Sequence, residues 1–298
     1  MNDGCSLAGQ ALLAAALGFA LAACQSGDNP KAASVSAPAN AAAPLPASPP
    51  PSSAPDEEAP GIALLEQEVA YGETQNSNLV GFLAMPRDAA EPLPGILVIH
   101  PWWGLDEEVK NTVRRLAREG YVALAVDLYG GAVATSPEKA QALMTALSAD
   151  ADGARRNLRQ AYDYLDKYAL SPRIASIGWD LGGSWALQTG LLFPDELDAV
   201  VMFYGQVVRD RSELSKLKMP ILGFFGSEDK TILVRDVQDF REMLRDLGKN
   251  AEIRIMIGAD HGFTDSTGAR YHQRSAAEAW TATLEFLRRN LKLAESAR

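Results

Sequence analysis

From Gly61 onward, short apolar runs alternate with amphipathic stretches. Gly95-Ile-Leu-Val-Ile-His100 is continuously apolar until its last residue, the pattern of a strand covered on both faces. Val122–Leu128, Ile174–Gly178, Ala199–Tyr204 and Ile221–Phe225 are further strands of this kind, and Ala251–Ile257 reads as one more strand. Between them the spacing of apolar positions predicts helices over Glu107–Glu119 (stopped by Gly120), Pro137–Ala149, Gly153–Tyr168, Leu181–Leu192, Val234–Leu247 and Gln273–Asn290. Ahead of them, Ala63–Val69 and Leu79–Ala84 can pair as a hairpin at a sheet edge. Strands that alternate with helices imply an α/β fold, a mostly parallel central sheet with helices on both faces. Sites in such folds lie at the carboxyl ends of the strands.

The rest of the 298-residue chain narrows the chemistry. It carries 28 Lys and Arg against 38 Asp and Glu, a net charge of −10, which argues against nucleic acid as a partner. Both cysteines, Cys5 and Cys24, fall in the first 24 residues. Residues 61–298 therefore have no thiol nucleophile and no Cys-based metal site. The three histidines, His100, His261 and His272, lack metal-type spacing, and no GxGxxG or Walker pattern occurs, so no metal or cofactor is expected. The expected partner is a small-molecule substrate; the oligomeric state stays open.

Residues 1–24 read as an address. Residues 4–27 are uncharged, and the apolar stretch Ala11–Ala23 is 13 residues long. That suits a signal-peptide core better than a span, which needs about 20. Its end, Leu21-Ala22-Ala23-Cys24, resembles a bacterial lipobox, although Met1-Asn2-Asp3 lacks the usual Lys or Arg. The resemblance implies acylation of Cys24, a membrane contact through that lipid anchor, and, with Gln25 following, an outer-membrane position facing the periplasm. Residues 25–60 are rich in Pro, Ala and Ser; they cannot bury enough apolar surface to order themselves and are expected to form a disordered tether. Residues 61–298 are then the folded domain.

Three strand ends carry the candidate chemistry. Gly178-Trp179-Asp180-Leu181-Gly182-Gly183 joins a strand to a helix through small residues, as a nucleophile elbow does. Asp229 follows the strand Ile221–Phe225, and His261 follows the strand ending at Ile257. The order nucleophile, acid, histidine is that of α/β-hydrolases. An acid in this position orients the imidazole, which acts as base. Without those two partners the elbow would read equally well as an ordinary Gly-rich turn.

With these residues in place, the chain resembles the dienelactone hydrolase family, a branch of the α/β-hydrolase fold, over roughly residues 65 to 292. The most specific segments are Val98-Ile-His-Pro-Trp-Trp-Gly-Leu105, Glu119–Gly131, the elbow, His261-Gly-Phe263 and Ala279-Trp280. The resemblance implies a hydrolase of the ester or lactone class, with Asp180, Asp229 and His261 as catalytic residues. It also implies backbone oxyanion donors at Trp102 and Leu181. It marks three departures: Asp180 stands where the family usually has Cys, Pro101 where it has Glu, and Asp265 where it has a substrate-binding Arg. A carboxylate, with a reference pKa of about 3.9, needs no base to ionise it. It is a poor nucleophile toward an ester carbonyl, where the product is an anhydride, but a good one at a saturated carbon. Alkyl halides and epoxides thus become candidate substrates. Trp103, Trp179 and Phe263 are candidates for the pocket wall. Trp102 and Trp185 cluster in sequence with Trp103 and Trp179 as core or pocket wall; His100 and His272 read as structural residues, and Asp127 as a turn residue. A catalytically inactive binding lipoprotein is the alternative reading.

Overall fold

The structure, a computed structural model, describes residues 62–292. The segment ending at Cys24 and the Pro-rich stretch at 25–60 lie outside the described residues. In chain order the elements are β1 (Leu64–Glu73), β2 (Asn78–Pro86), β3 (Gly95–Ile99), α1 (Glu107–Arg118), β4 (Val122–Val126), α2 (Pro137–Ala149), α3 (Ala151–Lys167) and β5 (Ile174–Trp179). They continue with α4 (Leu181–Leu192), β6 (Ala199–Phe203), α5 (Arg211–Ser215), β7 (Ile221–Gly226), α6 (Val234–Asp246), β8 (Ala251–Met256) and α7 (Gln273–Leu291).

The strands form one eight-stranded sheet in the order β1-β2-β4-β3-β5-β6-β7-β8. β1 and β2 form the expected antiparallel hairpin, β2 runs antiparallel to β4, and every other neighbour is parallel. Strand alternation divides the core between two faces. Ile96 and Val98 point to the face covered by Val109, Val113 and Leu116 of α1 and by Phe286 and Leu287 of α7. Leu97 and Ile99 point to the other, covered by Leu158 of α3, Leu187 of α4 and Phe240 of α6. Arg115 of α1 lies 4.1 Å from the Trp280 ring of α7, which ties those two helices together. Among the described residues, no helix is long and apolar enough to cross a membrane.

The hairpin strands run longer than the apolar pattern indicates, and two helical features differ. α3 starts at Ala151 rather than Gly153, because the Asp150 side chain accepts the Gly153 N–H at 2.9 Å and caps the helix two residues earlier. α5 was not expected; its five residues are too few to show a helical period, and it is set by Asp210, which accepts from Ser212 and Glu213.

β3 sits between β4 and β5, so the chain winds one way from β3 to β4 and the other way from β5 onward. The crevice at such a reversal opens between the loops that follow β3 and β5. These loops carry Trp102 and Asp180.

Candidate active site

Asp180 occupies the turn between β5 and α4 at φ 54° and ψ −116°. A non-Gly residue held there is strained by about 1–3 kcal/mol, and persists only where its surroundings fix it. The fixing is visible. Its N–H donates to Phe203 O at 3.0 Å. Ser184 Oγ donates to Asp180 O at 3.2 Å and accepts the Gln206 N–H at 2.8 Å, tying the elbow to the segment after β6. A methyl group on Gly178 would collide with the Gly182 carbonyl, and one on Gly182 with the carbonyl of Ile99. The glycine pattern thus has a steric cause: helix α4 packs backbone to backbone against β3 and β5.

The three side chains far apart in sequence converge. His261 Nδ1 lies 2.8 Å from Asp229 Oδ2, and His261 Nε2 lies 3.1 Å from Asp180 Oδ1. The second oxygen of Asp229 accepts the N–H groups of Thr231 at 2.7 Å and Ile232 at 2.8 Å, which fixes the carboxylate in a fully buried position. The loops bearing the two residues are stitched to each other by Glu228 N–H donating to Ala259 O at 2.9 Å. The Asp180 side chain remains 29% exposed, enough for a ligand to reach it.

Both imidazole nitrogens of His261 face carboxylate oxygens. A neutral imidazole can donate through only one nitrogen, so this geometry calls for the doubly protonated ring. The electrostatics agree. Burial pulls the His261 pKa down, but the hydrogen bonds to Asp180 and Asp229 and their charges overcome it and raise it to about 9. The resting site is a carboxylate–imidazolium–carboxylate row.

Trp102 N–H points at Asp180 Oδ2 across 3.4 Å. Leu181 is the first residue of α4, a position whose N–H has no acceptor within the helix. The loop holding Trp102 is set by His100. Its Nδ1 donates to Pro101 O at 2.7 Å and its Nε2 accepts the Leu128 N–H at 3.1 Å. This needs the neutral ring, and complete burial lowers its pKa accordingly. Asp127 is a turn residue as expected, accepting the Tyr129 N–H at 2.8 Å and the Gly131 N–H. His272 caps α7 by accepting the Ser275 N–H.

The expected pocket wall is only partly assembled. Trp102 and Trp103 pack together with ring centres 4.8 Å apart, both half-buried. Trp179 stacks on Phe203 at 5.1 Å. Phe263 is not at the surface of a pocket: it is fully buried in the core and meets Tyr204 edge-on at 5.3 Å. Two residues past His261, it packs on the same Tyr204 ring from within the core. A cavity of about 330 Å³ takes in Leu105, Asp127 and Gly131 but none of Asp180, Asp229 and His261.

Two residues that the sequence pattern did not single out also bear on the site. Tyr204, at φ 37°, packs its ring edge-on to His261 at 5.1 Å and shares a 2.5 Å hydrogen bond with Thr264, three residues past that histidine. Tyr129 packs on His100 with ring centres 4.7 Å apart. An apolar strand running into Tyr204-Gly205 was the available sign of the first.

The fold and the elbow-centred trio define an α/β-hydrolase. The model of the dienelactone hydrolase family matches residues 79–291, and the chain belongs to that family of hydrolases. Among its relatives is a protein of Saccharolobus solfataricus named "Putative carboxymethylenebutenolidase", 30% identical over 264 residues, covering 76% of this chain and 99% of the relative. "Protein usf" of Aquifex pyrophilus is 28% identical over 218 residues, covering 71% and 93%. The crystal structure of a dienelactone hydrolase-like promiscuous phosphotriesterase from metagenomic libraries shares the fold with a TM-score of 0.70 at 23% identity, over 77% of this chain and all of that one.

Proposed function

We propose that this hydrolase cleaves a small organic electrophile at a saturated carbon through an ester on Asp180, with His261 as the base of the second step and Asp229 as its orienter. The observation that carries this reading is that both ring nitrogens of His261 lie within hydrogen-bond distance of carboxyl oxygens, Asp229 Oδ2 at 2.8 Å and Asp180 Oδ1 at 3.1 Å, an arrangement that favours the imidazolium. A ring in that state cannot deprotonate water, so the direct attack of water on an ester has no base at neutral pH. A carboxylate nucleophile needs none.

In the first step Oδ1 of Asp180 forms a bond to carbon, and the leaving group departs with the electron pair. Oδ2 stays toward Trp102 N–H and becomes the carbonyl oxygen of the new ester. Esterification removes one of the two charges that hold the proton on His261. The imidazolium gives up that proton to the departing group or to solvent, and the neutral imidazole then takes a proton from water as hydroxide attacks the ester carbonyl. Negative charge develops on Oδ2 toward the N–H of Trp102, with the Leu181 N–H the second donor expected of this fold, a contribution of roughly 3 kcal/mol per donor in comparable sites. Collapse restores the carboxylate and releases an alcohol.

The test is intact-mass measurement of the His261→Ala protein after exposure to alkyl halides, epoxides and esters. A covalent adduct mapped to Asp180 is the expected result. No adduct, together with no turnover by the unaltered protein on any class, would favour a binding protein that has lost its chemistry. A second reading, slow ester or lactone hydrolysis by His261 and water, is favoured by the names of the relatives. It requires activity that survives Asp180→Ala and is lost in His261→Ala.

We further propose that the protein is held in the bacterial envelope by acylation of Cys24, facing the periplasm on the outer membrane, with residues 25–60 as spacer. The lipobox-like Leu21-Ala-Ala-Cys24 supports this. Labelling with a fatty-acid analogue, abolished by Cys24→Ala, is the expected outcome.

A further inference from the structure

The Tyr129 hydroxyl is shielded from solvent and has no hydrogen-bond partner. An orphan of this kind is unfavourable, and nearly all buried polar groups avoid it. Its surroundings are catalytic. The ring packs on His100, which shapes the loop carrying Trp102, and its edge lies against Gly104 of the same loop. Burial, and after it the charge of Asp180, holds the phenol well above its usual pKa, so it stays a donor. Pro101, between His100 and Trp102, has no N–H and no polar side chain to meet that hydroxyl.

We propose that Tyr129 is the donor kept for an oxygen atom of the substrate, and that the substrate is an epoxide rather than an alkyl halide; this rests on Asp180 being the nucleophile. Oδ1 of Asp180 bonds to one ring carbon, and the ring C–O bond breaks with its electron pair going to oxygen. That oxygen takes the Tyr129 proton, and the tyrosinate takes one in turn from the His261 imidazolium. His261 is left neutral, the form the second step needs. There it accepts a proton from water, hydroxide cleaves the ester, and the products are a vicinal diol and the original site. Every proton is accounted for within the site. A departing halide takes no proton, and the imidazolium would have to release its own to solvent before water could attack.

The experiment compares Tyr129→Phe with the unaltered chain, both in a His261→Gln background that traps the adduct and both offered an aliphatic epoxide and the bromide of the same chain length. The readout is the rate of mass gain at Asp180, alongside steady-state diol formation by Tyr129→Phe with His261 intact. The expected result is epoxide alkylation of Asp180 that slows about 100-fold in Tyr129→Phe, the size of a general-acid contribution, with kcat for diol falling and KM little changed. Thermal unfolding should show Tyr129→Phe at least as stable as its parent, since it removes only an unpaired group. Alkylation by epoxide at the same rate in both proteins overturns the role of Tyr129. Faster alkylation by bromide than by epoxide in the unaltered chain overturns the substrate class but leaves Asp180 as nucleophile. No adduct from either reagent overturns the nucleophile itself.

Discussion

Asp180 Oδ1 lies 3.1 Å from His261 Nε2, so the residue at the elbow is already an ion-pair partner of the imidazole before any substrate arrives. A thiol or hydroxyl at this place would wait for the histidine to take its proton. Here the histidine holds a proton because of the carboxylate.

That dependence is measurable. The His261 pKa in the folded protein, raised to about 9, exceeds the ordinary value of 6.5. Its contribution to stability is therefore fully present below pH 6.5 and is lost as pH rises through 9. Imidazole NMR signals should titrate near 9, and Asp180→Asn should move that midpoint downward. An unchanged midpoint in Asp180→Asn would mean that the row of charges does not operate as described.

Asp229 should matter more for folding than Asp180 does. It is fully buried, and its removal strands the Thr231 and Ile232 N–H groups along with the His261 ring. Asp229→Ala should destabilise the protein by roughly 3–5 kcal/mol, the range for breaking a buried pair, as read by urea unfolding. The partly exposed Asp180 should give a smaller loss on the same change.

The elbow glycine is a matter of space. Gly182→Ala drives a methyl group into the Ile99 carbonyl, backbone that cannot swing aside. A loss of about 3 kcal/mol, the upper end of the usual overpacking range, is expected in denaturant titration.

Asp180→Cys should convert the chemistry. A thiol next to His261 ionises readily and attacks acyl carbons, while His261, Asp229 and the Trp102 N–H are unaltered. The variant should gain a burst of product from an activated ester that the parent lacks. Absence of that burst in a folded variant would show that the crevice does not admit acyl substrates.

Much of this arrangement could be read before the coordinates. The buried strands announced themselves as apolar runs, because both faces of a parallel sheet are covered. Asp180, Asp229 and His261 were legible from their places after β5, β7 and β8, since the fold's strand ends meet on one side. The environment of Phe263 was not legible, because the sequence of a loop does not say which of its side chains turns into the core. Nor was the orphan hydroxyl of Tyr129: an unpaired group is defined by what fails to reach it, and that depends on residues far away along the chain. The cap that starts α3 early was there to be seen in Asp150 and was hidden by the glycine three residues on.

The 3.4 Å approach of Trp102 N–H to Asp180 Oδ2 has a pharmacological consequence. Boronates and phosphonates, which disable serine and cysteine hydrolases by mimicking a tetrahedral anion, would find their berth taken by a fixed negative oxygen of the protein itself. On the proposed mechanism such compounds should bind weakly, and reagents that alkylate Asp180 are the ones to try as inhibitors.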